Sequence, residues 1–321
     1  MTLSVALCTY NGEKYIIEQL TSIANQILQV NEIVICDDKS QDNTIDCILD
    51  FMSKHPNINI KLYQNDEQLW VVKNFEKAMS LCSGDIIFLC DQDDIWEINK
   101  TKKIIDYFSL NQNVNLVFTN AELINQFGEN ISDFKLFDAV GLYKNILKLW
   151  NKGLDFEILA SGNRVTGATV AFRKTMVSKV SPFIEDKVYI HDMQLALHAI
   201  NDNAIGIIDE PLIKYRIHGN NVCGLNENFY NGKNKISLLY TLSSHNLPFV
   251  FEEIINNPII VRRIDFYKKR YENIKTIKGK IKIICNFFLY KKYYANFFLY
   301  VIWIDLISNG RNILRKLFNI Q

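Results

Sequence analysis

Residues 86–94 read Ile86-Ile87-Phe88-Leu89-Cys90-Asp91-Gln92-Asp93-Asp94. Five apolar residues form a buried strand that opens into three carboxylates within four positions. Like charges held that close repel unless a cation or strong donors offset them. Aspartates at a strand end are hard oxygen ligands, suited to Mg²⁺ or Mn²⁺ shared with a substrate diphosphate. The plain alternative is a solvated acidic turn, or a cap for a helix starting near Glu97.

Outward from this stretch, strands and helices alternate. Leu3–Cys8, Glu32–Cys36, Ile58–Tyr63, Asp85–Cys90 and Val114–Thr119 are short apolar, β-branched runs. Between them, Tyr15–Ile27, Thr44–Met52, Val72–Leu81 and Lys100–Leu110 place apolar residues at helical spacing. That alternation predicts an α/β fold, a mostly parallel sheet with helices on both faces. Ligands of such a sheet gather beyond the carboxyl ends of its strands. Thr9-Tyr10-Asn11, Asp37-Asp38 and Asp91-Gln92-Asp93-Asp94 all fall at such ends.

After about residue 120 the alternation weakens. Residues 125–130 read as a hairpin turn, 141–160 as helix or loop, Arg164–Phe172 as a strand and Val188–Ile200 as a helix. Two short strands, Ile205–Ile208 and Leu212–Ile217, flank Asp209-Glu210-Pro211. An Asn- and Gly-rich stretch, Asn220–Lys235, reads as a linker, and a helical pattern follows to the end.

Across 321 residues the chain is 48% apolar and 12% aromatic with net charge +1, which excludes collagen-like, disordered and disulfide-stapled classes. The near-zero total conceals an asymmetry. From Ile260 onward, fourteen basic residues face three acidic ones, net +11, whereas residues 1–259 carry 22 basic and 32 acidic, net −10. Seven cysteines form no CxxC pair, which fits a reducing compartment. The first residues have no basic run ahead of an apolar one, so a cytoplasmic head is expected. The sequence also contains no GxGxxG, P-loop, HExxH or GxSxG motif.

Four ordered blocks then carry a resemblance: Val5-Ala6-Leu7-Cys8-Thr9-Tyr10-Asn11-Gly12, Ile35-Cys36-Asp37-Asp38 with Lys39–Thr44, Lys73-Asn74-Phe75, and Asp91–Asp94 with Ile95-Trp96. Together they resemble family 2 glycosyltransferases. The resemblance implies a GT-A fold, a nucleoside-diphosphate sugar donor (dTDP- or UDP-linked), and Mn²⁺ or Mg²⁺ held through Asp91 and Asp93. It places Thr9, Tyr10, Asn11, Asp38, Lys73, Asn74 and Asp91 at the nucleotide sugar. Gly167-Ala168-Thr169 is similar to the acceptor-side segment of the family. His191-Asp192 stands where Glu-Asp is usual, which makes Asp192 the candidate base, and Tyr215–Val222 resembles a segment of bacterial rhamnosyltransferase-like members, with His218 completing the metal shell. Two departures bear on the donor pocket: Trp70 stands at a position commonly small, and Ile98 replaces a common proline.

Chemistry supports Asp192 independently, because sugar transfer needs the acceptor hydroxyl deprotonated as it attacks; the alternative is a helix cap at the start of Met193–Ile200. His191 and His198 read as structural. The expected organisation is a GT-A domain over 1–222 (nucleotide half 1–119, acceptor half 120–222), a 223–235 linker and a basic, aromatic-rich helical extension over 236–321. In that extension Asn-Phe-Phe-Leu-Tyr occurs at 286–290 and again at 296–300. Its uncharged run Tyr293–Ile304 falls short of the roughly 20 residues of a spanning helix, so 260–321 is expected to lie on an anionic membrane surface, the alternative being packing on protein or a homo-oligomer contact. Nucleic acid is not an expected partner.

The expected activity is inverting, metal-dependent transfer of a sugar, rhamnose among the candidates, to a saccharide or lipid-linked acceptor in bacterial surface polysaccharide (O-antigen or capsule) synthesis. The enzyme would be peripheral on the inner face of the membrane. The rivals are a nucleotidyltransferase and a non-catalytic sugar-nucleotide-binding scaffold.

Overall fold

The structure, a computed structural model, describes residues 1–160, 163–184, 190–219, 254–262 and 264–265. These fall into two units that part after Asn256, and the fold and its cleft belong to the first. The expected linker, the repeated pentad and nearly all of the 236–321 extension lie outside the described residues. Among the described residues no helix is long and apolar enough to cross a membrane.

Nine strands among the described residues form one sheet. They are β1 (Leu3–Thr9), β2 (Glu32–Asp37), β3 (Ile60–Gln64), β4 (Ile86–Cys90), β5 (Ile95–Trp96), β6 (Leu116–Ile124), β7 (Asn130–Lys135), β8 (Val170–Arg173) and β9 (Ile205–Arg216). Their order is β3-β2-β1-β4-β8-β6-β9-β5, with β7 paired to β6. The first four run parallel, Val5 standing opposite Ile33 on one side and Phe88 on the other. Every residue of β2 and β4 is buried, which is why β4 reads as an unbroken apolar run and β2 as one bounded by Glu32 and Asp37.

The crossovers are α1 (Ile16–Ala24), α2 (Thr44–Lys54), α3 (Trp70–Leu81) and α4 (Lys100–Leu110). Helix α1 buries Ile16, Leu20 and Ile23, spaced for one face, and α2 buries Ile48 and Phe51. These join Leu3, Val5 and Leu7 of β1 in one core with Ile104 and Phe108 of α4, while α3 packs on β1 and β2 through a separate set, Phe75, Ala78 and Met79. Helices therefore cover both faces. Phe88, wholly buried at the centre, contributes about 1.5–3 kcal/mol, and Phe88→Ala would cost about 3–5 kcal/mol through the added cavity.

The second half of the sheet is mixed. Strand β8 inserts antiparallel between β4 and β6, and β9 runs parallel to β6. The expected strand over Arg164–Phe172 begins only at Val170, because Gly167–Thr169 closes a single 3-10 turn first. The two short strands expected around Asp209-Glu210-Pro211 are one strand, β9, whose register against β6 shifts between Ile208 and Pro211. Proline has no N–H for the ladder, which accounts for the break. Residues 125–130 make the expected turn, joining β6 to β7. After β7 come α5 (Leu136–Ala139), α6 (Lys144–Leu149) and α7 (Asp155–Ala160); α8 (Val177–Val180) follows β8, and α9 (His191–Asn201) leads into β9.

Candidate active site

Parallel register sets the site. Thr9 pairs with Asp37, and Leu7 with Cys90, so β1, β2 and β4 end at one edge and release their polar loops side by side. There a cleft of about 650 Å³ is lined by Tyr10, Asp38, Trp70, Asp91, Asp93 and His218 among others, within the usual range for a small-molecule pocket.

Hydrogen bonds tie these loops together. Thr9 Oγ1 donates to Asp37 Oδ2 at 2.7 Å, and Ser40 N to Asp37 Oδ1 at 2.9 Å, so Asp37 fixes the strand ends. Asp38 faces the cleft but already accepts from Asn65 Nδ2 (2.8 Å), Leu69 N (2.7 Å) and Trp70 N (2.9 Å). Asn74 is buried, accepting from Asn65 and donating to Cys36 O. Asn11, left-handed at φ 49°, takes Gln41 N on its side-chain oxygen. Gln92 grips the β1 loop at both polar atoms of one residue, accepting from Tyr10 N (2.9 Å) and donating to Tyr10 O (3.0 Å). This tie needs glycine beneath it, since a Cβ on Gly12 would lie 2.1 Å from Gln92 Oε1 and would displace the amide.

The acidic loop divides its labour. Asp91 lines the cleft, and among the described residues its carboxylate has no hydrogen-bond or ion-pair partner. Burial, then the charges of Asp93 and Asp192, push its pKa up to about 7. Asp93 Oδ2 lies 2.8 Å from His218 Nε2. Asp94 points inward: Oδ1 accepts from Arg216 N at 2.9 Å, Oδ2 is buried without a partner, and burial beside Asp93 and Asp91 raises its pKa strongly.

Two buried cations back this loop, and neither was singled out in the sequence. Lys100 is fully buried with Nζ donating to Ala168 O at 2.9 Å and lying 3.9 Å from the Trp96 ring centroid. Burial lowers its pKa to about 8, against the charges of Cys90, Asp94 and Asp91. Arg216 is also buried. It donates from Nε to Asp93 O at 2.7 Å, pairs with Glu18 Oε2 at 2.5 Å and stacks over Tyr15. The sequence did hold a signal for Lys100, which opens the i, i+4, i+8 buried stripe Lys100, Ile104, Phe108 of α4. A charge in such a stripe marks a buried ion.

The residues present fit a divalent cation. The unpartnered carboxylate of Asp91 faces the cleft beside Asp93, and both are hard oxygen donors of the kind such ions take. Among the described residues no three His, Cys, Asp or Glu side chains converge on one point. The chain would thus supply few ligands, with water and phosphate oxygens completing the shell, as Mg²⁺ and Mn²⁺ prefer.

Asp192 sits in the first turn of α9, behind the cap residue Ile190, so it is not the N-cap. Its Oδ2 accepts from Gly167 N at 3.0 Å and its Oδ1 from Met193 N at 2.6 Å. Burial nonetheless raises its pKa to about 6. It does not line the cleft, although its charge reaches Asp91. His191 stacks on the cleft-lining Phe75 with centroids 4.2 Å apart, and burial lowers its pKa to about 3, so the ring is neutral. Lys73 also lies off the cleft lining and pairs with Glu76 at 2.7 Å.

Residues 4–180 match the model of glycosyl transferase family 2. Shigella flexneri dTDP-rhamnosyl transferase RfbG is 32% identical over 235 residues, 70% of this chain and 75% of that protein. Escherichia coli WfgD, named as a UDP-Glc:alpha-D-GlcNAc-diphosphoundecaprenol beta-1,3-glucosyltransferase, is 29% identical over 220 residues, 67% of this chain and 77% of its own. A crystal structure of S. aureus TarS in complex with UDP-GlcNAc superposes with a TM-score of 0.56 at 18% identity, covering 85% of this chain and 72% of that one, a likeness of fold. The parallel strand ends, the acidic loop after β4 and the match over more than half its length agree: this chain belongs to glycosyl transferase family 2.

Proposed function

We propose that the chain transfers a sugar, with inversion, from a nucleoside diphosphate to a saccharide or lipid-linked acceptor in bacterial surface polysaccharide synthesis. The observation that carries this reading is the cleft-facing Asp91 beside Asp93, at the end of β4 and backed by two buried cations. A carboxylate without a partner in a concave pocket suits a cation shared with a diphosphate. The named activities of RfbG and WfgD support a polysaccharide role, and they favour dTDP-rhamnose or a UDP-sugar as donor.

The mechanism follows from the groups present. Thr9, Tyr10, Asn11, Asp38 and Asn74 shape the nucleotide side of the cleft, through their backbones and cross-ties more than through free side chains. Lys73 would reach the donor only by leaving Glu76. Asp91 and Asp93, with His218 at Asp93, would hold Mn²⁺ or Mg²⁺; bound there, the cation supplies positive charge to the departing diphosphate. Asp192, set behind the cleft lining against Gly167, would take the proton of an acceptor hydroxyl brought within hydrogen-bond reach of it, while that oxygen attacks the anomeric carbon from the face opposite the breaking sugar–phosphate bond. Its raised proton affinity suits a base working near neutrality.

Family membership leaves the nucleotidyltransferase reading without support. A thermal-shift screen of dTDP-rhamnose and UDP-sugars with and without Mn²⁺, followed by turnover on a lipid-linked saccharide, tests the proposal. It expects stabilisation by at least one donor and a glycosylated product. Binding without turnover on any acceptor would favour the scaffold reading, and no stabilisation by any donor would refute the proposal. For the basic segment from Ile260 we propose an anionic membrane surface, tested by salt-sensitive sedimentation of the full chain with anionic vesicles. Solubility unchanged by vesicles at low salt would refute it.

A further inference from the structure

Trp70 takes no part in the chemistry above, yet it is the least comfortable residue at the cleft. It opens α3 with φ 62°, in the left-handed region that a bulky L side chain enters only at a cost. The residue is 68% exposed while lining the cleft, and among the described residues its indole makes no hydrogen bond or ring contact. The strained backbone is held in place, because Asp38 receives the N–H of Leu69 on one oxygen and that of Trp70 on the other. Strain maintained beside a pocket, with a large flat ring presented to solvent, marks a residue kept for a ligand.

Sheet order says which part of the ligand. Trp70 follows β3, whereas the acidic loop follows β4, and β2 and β1 lie between them. Three strand spacings separate the two ends of the cleft by about 14 Å. A diphosphate held at Asp91 and Asp93 therefore directs the nucleoside toward Asp38 and Trp70. We infer that the Trp70 indole is a stacking platform for the nucleobase of the donor, an inference that rests on the nucleotide-sugar reading above. An indole face stacks on any base, so Trp70 supplies affinity and leaves the choice of base to hydrogen bonds.

The test uses the full chain with UDP, dTDP and Mn²⁺-pyrophosphate as probes, and compares Trp70→Gly, Trp70→Ala and Trp70→Phe. Binding is read by calorimetry. The expected result is a loss of about five- to a hundred-fold in nucleotide affinity for the Gly and Ala variants, with Phe retaining most of it and pyrophosphate binding unchanged. Trp70→Gly should also melt above Trp70→Ala by about 2–4 °C, because glycine adopts positive φ freely. Three results would overturn the inference alone: equal nucleotide affinity in wild type and Trp70→Gly, loss of pyrophosphate binding as well, or a higher acceptor KM with unchanged nucleotide binding. A wild-type chain that binds neither UDP nor dTDP would overturn this inference and the nucleotide-sugar reading together; normal wild-type binding with an indifferent Trp70→Gly overturns the inference alone.

Discussion

Replacing Asp192 by asparagine should inactivate the chain and stabilise it at the same time. The asparagine oxygen can still accept from Gly167 N, so the turn before β8 keeps its anchor while the base is lost; the amide nitrogen then faces Met193 N, whose bond is given up and offsets about 1 kcal/mol or more of the gain in stability. Loss of general-base help lowers kcat by about 10²–10⁴-fold. Stability moves the other way. Burial lifts the Asp192 carboxyl from 3.8 to about 6, so its charged form disfavours the folded state by about 3 kcal/mol at neutral pH, at 1.36 kcal/mol per pH unit. That penalty is fully present above the folded pKa near 6 and fades as pH falls toward 3.8, where the carboxyl is protonated in both states. Urea unfolding of the wild type and Asp192→Asn should therefore differ by up to about 3 kcal/mol at pH 7.5 and converge near pH 4. Wild-type kcat/KM should in turn fall about tenfold per unit below pH 6. Retention of more than about a tenth of wild-type kcat at saturating acceptor would refute the base assignment. A stability difference that does not change with pH would refute the burial argument.

The cations behind the acidic loop carry further expectations. Lys100→Ala removes the ammonium facing Asp94 and Asp91 and should cost about 3–5 kcal/mol, part of it regained with saturating Mn²⁺, as read by thermal unfolding with and without the ion. Full stability without metal would show that Lys100 does not offset the carboxylates. Gly12→Ala should push the Gln92 amide off Tyr10 with little change in stability, the clashing atoms being the far end of a flexible side chain; the expected readout is weaker UDP or dTDP binding at an unchanged melting temperature. Undiminished nucleotide affinity in that variant would show that the Tyr10–Gln92 tie does not shape the cleft.

What the sequence disclosed and what it withheld follow from the range of each interaction. Asp91, Asp38 and Thr9 could be placed at one edge because strand ends are local events and parallel strands bring them together by register. The direction of β8 could not, since three apolar residues and an arginine carry no information on which way they run. Arg216 meets Asp94 from 122 residues away and Lys100 meets Ala168 from 68, so no window of sequence contains either pairing. Sequence leaves Asp192 between cap and base; the fold puts Ile190 at the cap and the carboxylate against Gly167, which removes the cap reading and leaves the base as the proposal. Lys73, carried over with its block, turns to Glu76 because α3 places the two on adjacent turns, a contact that spacing alone permits but does not compel.

The most direct test of the account is the metal dependence of nucleotide binding at Asp91. Calorimetric titration of UDP or dTDP into the wild-type chain should show an affinity gain of more than about tenfold on adding Mn²⁺, or 1.4 kcal/mol, and Asp91→Asn should abolish that gain while remaining folded. An equal gain in Asp91→Asn, or no gain in the wild type, would contradict the placement of the diphosphate and its cation at the end of β4.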